Sequence, residues 1–303
     1  MEPDRASWTA RSAAYGRAYH YAHDSPRVFE DFLAGTLITP EEREIIENNW
    51  LTGFARLSPG LASAGERAAA VAQAWRQIPS VPEVLGRARY NEDKLSDAIS
   101  KGISQYVIVG AGLDTFALRR PDLQNRLRIF ELDHPLTQGL KRDRLVQTAL
   151  AFPPNLQFCP TDFEHDSVAS SLSRSPYNPG IPTFFSWLGV TIYLTREAIS
   201  NTLKSIRTVA APGSEFVMDY VDSAVFLPEN QSSAMRALFN RVQRFGEPII
   251  SGFDPRTLVE ELGALGFELL EDLDHTGQEA RYFAGRADGL RPVEFTHFVH
   301  ARL

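Results

Sequence analysis

The sequence predicts an α/β fold: a Rossmann-like, doubly wound and mostly parallel sheet of seven strands, with an antiparallel last strand and an N-terminal helical cap. From residue 104 onward, short apolar and β-branched runs alternate with helical windows, and no strand pattern precedes that point. A glycine-rich turn directly follows the first run. Strands that alternate with helices are typical of a parallel sheet. We therefore predict a cap over residues 1–103 and a sheet domain over residues 104–303, both parts of one unit.

Four amphipathic or alanine-rich stretches predict the helices of the cap. Thr39 and Pro40 suit the N-cap and first turn of the second helix, and Gly102 suits the position just after the last one. Pro79 and Pro82 are expected to end the third helix. The predicted helices cover residues 10–23, 41–54, 65–77 and 91–101.

Seven runs predict the strands of the sheet, and most are separated by helical windows. The clearest such helix covers residues 196–210, capped by Thr195 and ended by Pro212 and Gly213. Another is expected to open at Asp254 and Pro255. Because the last two strands are joined without an obvious helix, we expect the final strand to be antiparallel. The predicted strands cover residues 106–109, 128–133, 156–159, 183–188, 215–220, 267–270 and 294–303.

Composition excludes several classes of protein. The chain has 303 residues and a formal net charge of −7, which argues against a nucleic-acid-binding surface. Its single cysteine, Cys159, excludes internal disulfides, and its seven histidines form no HExxH pattern, so we expect no metal site. No apolar run approaches the ~18 residues of a membrane span, and the N-terminus lacks the apolar core of a signal peptide. We expect a cytoplasmic protein.

The turn Gly110-Ala111-Gly112 is the first candidate binding site. Ligands of open α/β sheets bind outside the carboxyl ends of the strands, and glycines there let the backbone turn tightly. A dinucleotide fingerprint would place a small residue where Thr115 stands, and Asp114 is acidic where a pyrophosphate would approach. That mismatch disfavours NAD and favours a ligand with a cationic end, such as S-adenosylmethionine.

Acidic residues at the ends of the next two strands extend this site. Glu131 and Asp133 share one face of the second strand because residues two apart point the same way. A carboxylate about 20 residues beyond the glycines commonly accepts both ribose hydroxyls. Asp162, after the third strand, can accept from an adenine amino group while Phe163 flanks the base. Each acid alone is most simply a solvated strand end, but glycine, acid and acid on three successive strand ends predict one site.

These residues resemble the leucine carboxyl methyltransferase-like family of class I S-adenosylmethionine-dependent methyltransferases. The resemblance implies that an arginine of the upstream segment holds the methionine carboxylate of the cofactor, a role that falls on Arg87 with Arg89 as its rival. Family members often carry a glutamate where Leu188 stands here. The matching stretches are residues 86–91 (GRARYN), 105–119 (QYVIVGAGLDTFALR), 130–135 (FELDHP), 161–163 (TDF) and 182–195.

No side chain is a convincing general base. His134 follows the ribose-binding acid, but a strand-end histidine held before Pro135 is the simpler interpretation. Tyr193 and Tyr220 lie near the carboxyl ends of strands four and five, where either acceptor contact or core packing fits. A carboxylate acceptor would need no base, whereas a phenol or alcohol would.

Other notable side chains have simpler structural interpretations. His20 and His23 are expected on a helix surface of the cap. Trp187 and its aromatic neighbours are expected in the core, although Trp187 could also face the sulfonium. Basic pairs and triplets are expected on solvated helix faces: Arg119, Arg120, Lys141, Arg142 and Arg144.

The sequence therefore predicts O-methylation of a small, natural-product-like acid or hydroxyl acceptor, as in secondary metabolism, by a monomer or homodimer. The cap and residues 225–253 would close over the acceptor. Two alternatives stay open: an NAD(P)-dependent oxidoreductase that uses the same glycine turn, and a non-catalytic regulator that binds an adenosyl ligand.

Overall fold

A seven-stranded sheet carries the fold. The computed structural model describes residues 7–57, 67–78, 80–231 and 248–303, with Arg236, Phe239 and Gln243 besides. The strands are β1 (Gln105–Val109), β2 (Arg128–Asp133), β3 (Leu156–Pro160), β4 (Thr183–Trp187), β5 (Glu215–Val221), β6 (Glu268–Leu273) and β7 (Thr296–Arg302). They lie in the order β3-β2-β1-β4-β5-β7-β6. The chain therefore reverses its direction across the sheet between β1 and β4, which is where a doubly wound sheet opens a crevice at its carboxyl edge.

The predicted parallel sheet with an antiparallel last strand is confirmed. β1 pairs in parallel with β2 and β4, β2 with β3, and β4 with β5. β7 runs antiparallel to both β5 and β6. β1 to β5 are largely or wholly buried apart from their ends and β3, as continuous apolar runs predict. Each predicted strand forms, with ends that differ by up to three residues.

Different helices cover the two faces of the sheet. On one face, α4 (Ser80–Ser100) and α5 (Phe116–Arg119) pack around Tyr106, Ile129 and Phe184. On the other, α7 (Val168–Ser173), α8 (Arg196–Val209) and α9 (Leu258–Ala264) pack around Phe185 and Trp187. Two further helices complete this part: α6 (Pro135–Gln147), after β2, and α10 (His275–Gln278), after β6.

The N-terminal helices form a second apolar cluster above the carboxyl edge. α1 (Trp8–His23), α2 (Pro40–Leu57) and α3 (Arg67–Arg76) meet the first half of α4 there, around Trp50, Trp75 and Leu85. Thr39 caps α2 as predicted, and its hydroxyl accepts from the Glu42 N–H at 3.2 Å. The second half of α4 packs on the sheet through Tyr90, Leu95 and Ala98. The division at residue 103 stays a prediction.

Helix α4 begins 11 residues earlier than the predicted helix at Asn91, so that prediction is corrected. Pro82 lies buried in the first turn of α4 and does not separate two helices. Proline is tolerated in a first turn because the N–H groups there have no helical partner. Glu83 and Arg87 therefore lie on a regular helix that faces the carboxyl edge of the sheet.

The prediction of solvated basic residues is wrong for three of the five. Lys141 is 1% exposed and Arg144 6% exposed, and the side chain of Arg119 is 6% exposed. Arg144 binds the Leu37 carbonyl and Glu42, which joins α6 to the cap. Arg119 binds Asp31 and Glu92. These cations are buried because each has a carboxylate partner, which is the condition for burying a charge.

Within the part of the chain that the structure describes, no helix has both the length and the apolar character needed to cross a bilayer. Within the same residues, no three His, Cys, Asp or Glu side chains are grouped so as to hold a metal ion.

Candidate active site

The glycine turn after β1 has the backbone conformation that its sequence predicts. Gly110 and Gly112 have φ values of +73° and +53°, a region that favours glycine. The N–H groups of Gly110 and Ala111 donate to the Leu132 carbonyl at 2.8 and 3.1 Å, which fixes the turn against β2. A Cβ on Gly110 would stand 2.6 Å from the side chain of Val190. The turn therefore depends on glycine for both conformation and space.

Asp133 closes the turn from the end of β2. Its two carboxylate oxygens accept from the Gly112 N–H at 2.5 Å and from the His134 N–H at 2.7 Å. Burial raises the pKa of Asp133, and the two N–H groups oppose that effect. Each oxygen keeps a lone pair for a further donor.

His134 has a structural role at this position. Its Nδ1 accepts from the Leu136 N–H at 3.3 Å as the N-cap of α6. A ring nitrogen used to cap a helix is not available as a general base. The simpler of its two interpretations is therefore the one that the geometry favours.

Glu131 is buried beside Asp133 on the same face of β2. Its side chain is 2% exposed, and one oxygen accepts from Lys141 at 2.5 Å. The other, Oε1, has no hydrogen-bond partner among the described residues. Burial raises the pKa of Glu131 to about 7, against the opposing effect of Lys141. A buried carboxylate oxygen without a partner marks a place where a donor from a ligand would be favoured.

Asp162 and Phe163 form the turn after β3. Asp162 accepts from the Glu164 N–H at 3.1 Å, and its own N–H donates to Asp166 at 3.2 Å. Phe163 is 36% exposed, so its ring keeps a free face. Thr161 ties this turn to β2 because its N–H donates to the Asp133 carbonyl at 2.8 Å. The structure thus brings the third strand end next to the second.

Arg87 reaches the same edge of the sheet from α4. Its Nη1 binds Glu83 at 2.8 Å and Asp219, on β5, at 3.1 Å. Asp219 also accepts from the Gly189 N–H at 2.6 Å. A Cβ on Gly189 would stand 2.3 Å from the Arg87 guanidinium, so glycine at this position leaves room for the arginine in its present conformation.

Arg89, the rival of Arg87, lies on the surface. It pairs with Asp93 at 2.8 Å, and its side chain is 47% exposed. It therefore lies apart from the glycine turn, and Arg87 is the arginine that the structure brings to the site.

The carboxyl pair beside Arg87 was not found from the sequence. Burial and the neighbouring Asp219 raise the pKa of Glu83 to about 7, while Arg87 lowers it. Burial lowers the pKa of Arg87, but the two carboxylates outweigh it and raise the pKa. One signal was available: Glu83 precedes Arg87 by four residues, a spacing that places both on one helix face. Asp219 gave no such signal, because only the fold brings β5 next to α4.

A cavity of about 120 Å³, here called the cap cavity, lies between the cap helices and the loop after β4. Its lining includes Trp8, Trp50, Trp75, Glu83, Arg87 and Tyr193. Tyr193 lies on a short 3₁₀ turn, Thr191–Tyr193, that follows β4. The cavity therefore joins the aromatic part of the cap to the charged end of α4.

Residues 225–253 contribute to this cavity through Ile249. Most of the segment predicted to close over the acceptor, residues 232–247, lies outside the described residues apart from Arg236, Phe239 and Gln243.

Tyr220 does not line the cap cavity, so its prediction as an acceptor contact is wrong and core packing is the interpretation that fits. Its ring is 1% exposed and stacks on His297, with centroids 4.8 Å apart. Its hydroxyl donates to Asp272 at 2.8 Å. Burial and Asp272 raise the pKa of Tyr220. Trp187 and Cys159 are likewise core residues, as expected.

The two cap histidines differ from each other. His20 is fully buried, contrary to the expected surface position, because it contacts Asp24 at 2.6 Å and accepts from the Val28 N–H at 2.8 Å. His23 is exposed and packs against Tyr19. Neither lines the cap cavity.

The fold is shared with solved structures of low sequence identity. A DUF574 family protein from Streptomyces avermitilis MA-4680 superposes with a TM-score of 0.55 at 15% identity, over 98% of this chain and 97% of that one. A protein from Thermobifida fusca YX, provisionally named a methyltransferase, superposes with a TM-score of 0.50 at 17% identity, over 95% and 93%. At these identities the likeness concerns the Rossmann-like fold alone.

Sequence comparison defines the family more narrowly. The model of the leucine carboxyl methyltransferase family matches residues 10–207. A Bacillus subtilis (strain 168) protein, YktD, is 34% identical over 302 residues, 99% of each chain. Its provisional name is that of an S-adenosyl-L-methionine-dependent methyltransferase. The chain belongs to the leucine carboxyl methyltransferase family and is an S-adenosylmethionine-dependent methyltransferase. Nothing in these comparisons supports the oxidoreductase or the non-catalytic regulator.

Proposed function

We propose that this protein is an O-methyltransferase that transfers the methyl group of S-adenosylmethionine to a small molecule bound in the cap cavity. The position of Arg87 is the main support for this proposal. Arg87 lies beside the carboxyl edge of the sheet and also lines the cap cavity. A donor on the strand ends and an acceptor under the cap would therefore meet at one place.

The donor's adenosine would lie on the strand ends of β1 to β3. Gly110, Ala111 and Gly112 let the backbone approach it closely, and Asp133 accepts from the ribose hydroxyls. The unpartnered Oε1 of Glu131 offers a second acceptor on the same face. Asp162 would accept from the adenine amino group, and the exposed face of Phe163 would cover the base.

The donor's methionine end would lie at Arg87. Its carboxylate would bind the Arg87 guanidinium, and its ammonium would face the carboxylate of Asp219. Asp219 offers negative charge where family members often carry a glutamate at the position of Leu188. Opposite charges at both ends of the amino-acid moiety would offset the cost of burying it.

Methyl transfer from a sulfonium is an in-line displacement, in which the protein mainly supplies alignment. Proximity and orientation can contribute about 7–11 kcal/mol. The cap supplies that alignment here, since α1 and the loop after β4 contact the glycine turn through Ala10 and Val190. A cytoplasmic location, a role in secondary metabolism and a monomeric or dimeric state are further parts of this proposal.

The test is calorimetry with S-adenosylmethionine, S-adenosylhomocysteine and NADH, followed by transfer of labelled methyl groups to a panel of small acids and phenols. We expect both adenosyl compounds to bind and NADH not to bind. The labelled product should be a methyl ester or a methyl ether. Base hydrolysis distinguishes the two, because it releases labelled methanol from the ester only. Failure of both adenosyl compounds to bind would overturn the donor site, and transfer to nitrogen or carbon alone would overturn O-methylation.

A further inference from the structure

We propose that Glu83, held by Arg87 and paired with Asp219, is the general base of the reaction, and that the acceptor is a single-ring phenol. This inference rests on the proposed O-methyltransferase function. It adds a catalytic residue and a substrate class to that function.

Geometry selects Glu83, not Asp219, as the group that meets the acceptor. Asp219 is 1% exposed at its side chain, and each of its oxygens already has a donor, Gly189 or Arg87. Glu83 is 11% exposed and lines the cap cavity. Arg87 donates to Glu83 at 2.8 Å, and Glu83 also shares a side-chain hydrogen bond with Asp219. A carboxyl group that is held by these two neighbours and lines a cavity can exchange a proton with a molecule bound there.

The walls of the cap cavity suit an aromatic ring. Trp50 and Trp75 are buried, and their ring centroids lie 5.1 Å apart at an angle of 43°. Trp8 adds a third indole to the lining. Tilted aromatic walls favour a planar ring through edge and face contacts. A volume of about 120 Å³ is well below the ~300–1,000 Å³ of drug-sized sites, which indicates a small acceptor.

The charge around Glu83 disfavours an acceptor that is itself a carboxylate. The charged groups that act on Glu83 are Arg87 from its own helix and Asp219 from β5, while Tyr193 from the loop after β4 acts on Arg87. One guanidinium thus stands against two carboxyl groups. Within the described lining there is no lysine or histidine. A third carboxylate at this place would be repelled, whereas a neutral phenol can donate its hydrogen bond to Glu83.

The chemistry balances without any further reactant. The phenol O–H bond breaks and its proton goes to the Glu83 carboxylate. The phenol oxygen forms a bond to the methyl carbon while the carbon–sulfur bond breaks, and that electron pair stays on sulfur. The products are an aryl methyl ether, S-adenosylhomocysteine and a protonated Glu83, which then returns the proton to solvent.

The titration of Glu83 agrees with this role. Its pKa of about 7 arises from burial and from Asp219, against the opposing effect of Arg87. A general base with a pKa near the operating pH is largely deprotonated and still accepts a proton readily. Because the two carboxyl groups interact, the observed midpoint belongs to the pair.

The experiment measures single-turnover methyl transfer from labelled S-adenosylmethionine to phenol, 4-methylphenol and 2-methoxyphenol, and to benzoate and 4-methylbenzoate. Rates are taken from about pH 5.5 to pH 8.5, and S-adenosylhomocysteine affinity is measured by calorimetry. We expect transfer to phenols, with a rate that rises through a midpoint near 7. In Glu83→Gln the rate should fall by about 10²- to 10⁴-fold and lose this pH dependence. Its S-adenosylhomocysteine affinity should change by less than about threefold.

Asp93→Asn is the matched control. It removes a carboxylate from the same helix, where Asp93 pairs with Arg89 at the surface, and it should leave rates and affinity as in wild type. If phenols are methylated and Glu83→Gln keeps the rate and the pH profile, the general base is refuted and O-methylation stands. If only benzoates are methylated, the substrate class is refuted. If Glu83→Gln instead loses S-adenosylhomocysteine affinity, Glu83 serves the donor and not the acceptor. No transfer to either class by wild type refutes the inference and the proposed function together.

Discussion

Gly110 carries two separate constraints, and a pair of variants can tell them apart. Gly110→Ala places a Cβ at a φ of +73° and 2.6 Å from Val190. Gly102→Ala also has a positive φ, +102°, but nothing lies within 4 Å of the added atom. We expect Gly102→Ala to cost about 1–2 kcal/mol from backbone strain. Gly110→Ala should cost about 1–3 kcal/mol more from overpacking. Urea denaturation measures both, and equal costs would contradict the close contact.

Asp133→Asn keeps the size of the side chain and removes its charge. A hydrogen bond to a charged group contributes about 1.5–3 kcal/mol, so S-adenosylhomocysteine should bind about 10- to 100-fold more weakly by calorimetry. Asp122→Asn is the control, since Asp122 is 58% exposed and pairs with Arg120 on the surface. An affinity that is the same in Asp133→Asn and wild type would refute the ribose assignment.

How far single residues could be predicted depends on how local their signals are. Gly110 and Asp133 follow strands directly, so their positions at the carboxyl edge were predictable from the alternation of strands and helices. Lys141 and Arg144 have ordinary helix-surface spacing, and only their distant partners, Glu131 and Glu42, explain why they are buried. The contact between Arg87 and Asp219 joins residues 132 positions apart, which no local pattern encodes.

At the scale of elements, Asp31 joins the cap to the helix after the glycine turn. It binds Arg17 of α1 at 2.8 Å, the Thr115 hydroxyl at 2.6 Å and Arg119 of α5 at 3.3 Å. Asp31→Asn would leave buried guanidinium groups with less negative charge, which costs about 3–5 kcal/mol. Its neighbour Glu30, 69% exposed beside Arg27, gives the control Glu30→Gln, with a change below about 0.5 kcal/mol. Chemical denaturation compares them, and similar midpoints would contradict the role of Asp31.

The predicted elements differ in accuracy for a physical reason. A buried strand shows in the sequence as a short apolar run, which is how β1, β2, β4 and β5 were found, and the remaining strands were found from shorter or more mixed runs of the same kind. Helix α4 has two different environments, the cap around its first half and the sheet around its second. Its apolar pattern therefore shifts along its length, and Pro82 was mistaken for an end. The 3₁₀ turn that positions Tyr193 is too short to give a periodic signal.

At the scale of the whole molecule, buried acids give the stability an uneven dependence on pH. Burial raises the pKa of Glu271, but Arg281, Lys94 and Tyr90 outweigh it and lower the pKa to about 2. Its contribution is present above pH ~4.5 and is lost as the pH falls toward 2. Glu83 and Glu131 have pKa values raised to about 7. Their contribution is present below pH ~4.5 and is lost as the pH rises toward 7.

The free energy of unfolding should therefore be highest near about pH 5 and should decline between pH 5 and 7. Urea denaturation at several pH values, without added ligand, measures this decline. Glu83→Gln removes one of the two carboxyl groups whose pKa is raised to about 7 and should make the decline shallower, whereas Asp93→Asn should leave the decline as it is. A stability that rises steadily from pH 5 to 7 would contradict the raised pKa values.

Helix α4 is shared between the cap and the sheet, with Glu83 and Arg87 in its first half. A cap that swings away to admit a molecule must either carry this helix along or break its packing on one side. Carrying the helix along displaces the Arg87 guanidinium from Asp219. Under the proposed function, closure of the cap and binding of the adenosyl compound at Arg87 are then thermodynamically linked, so that each favours the other.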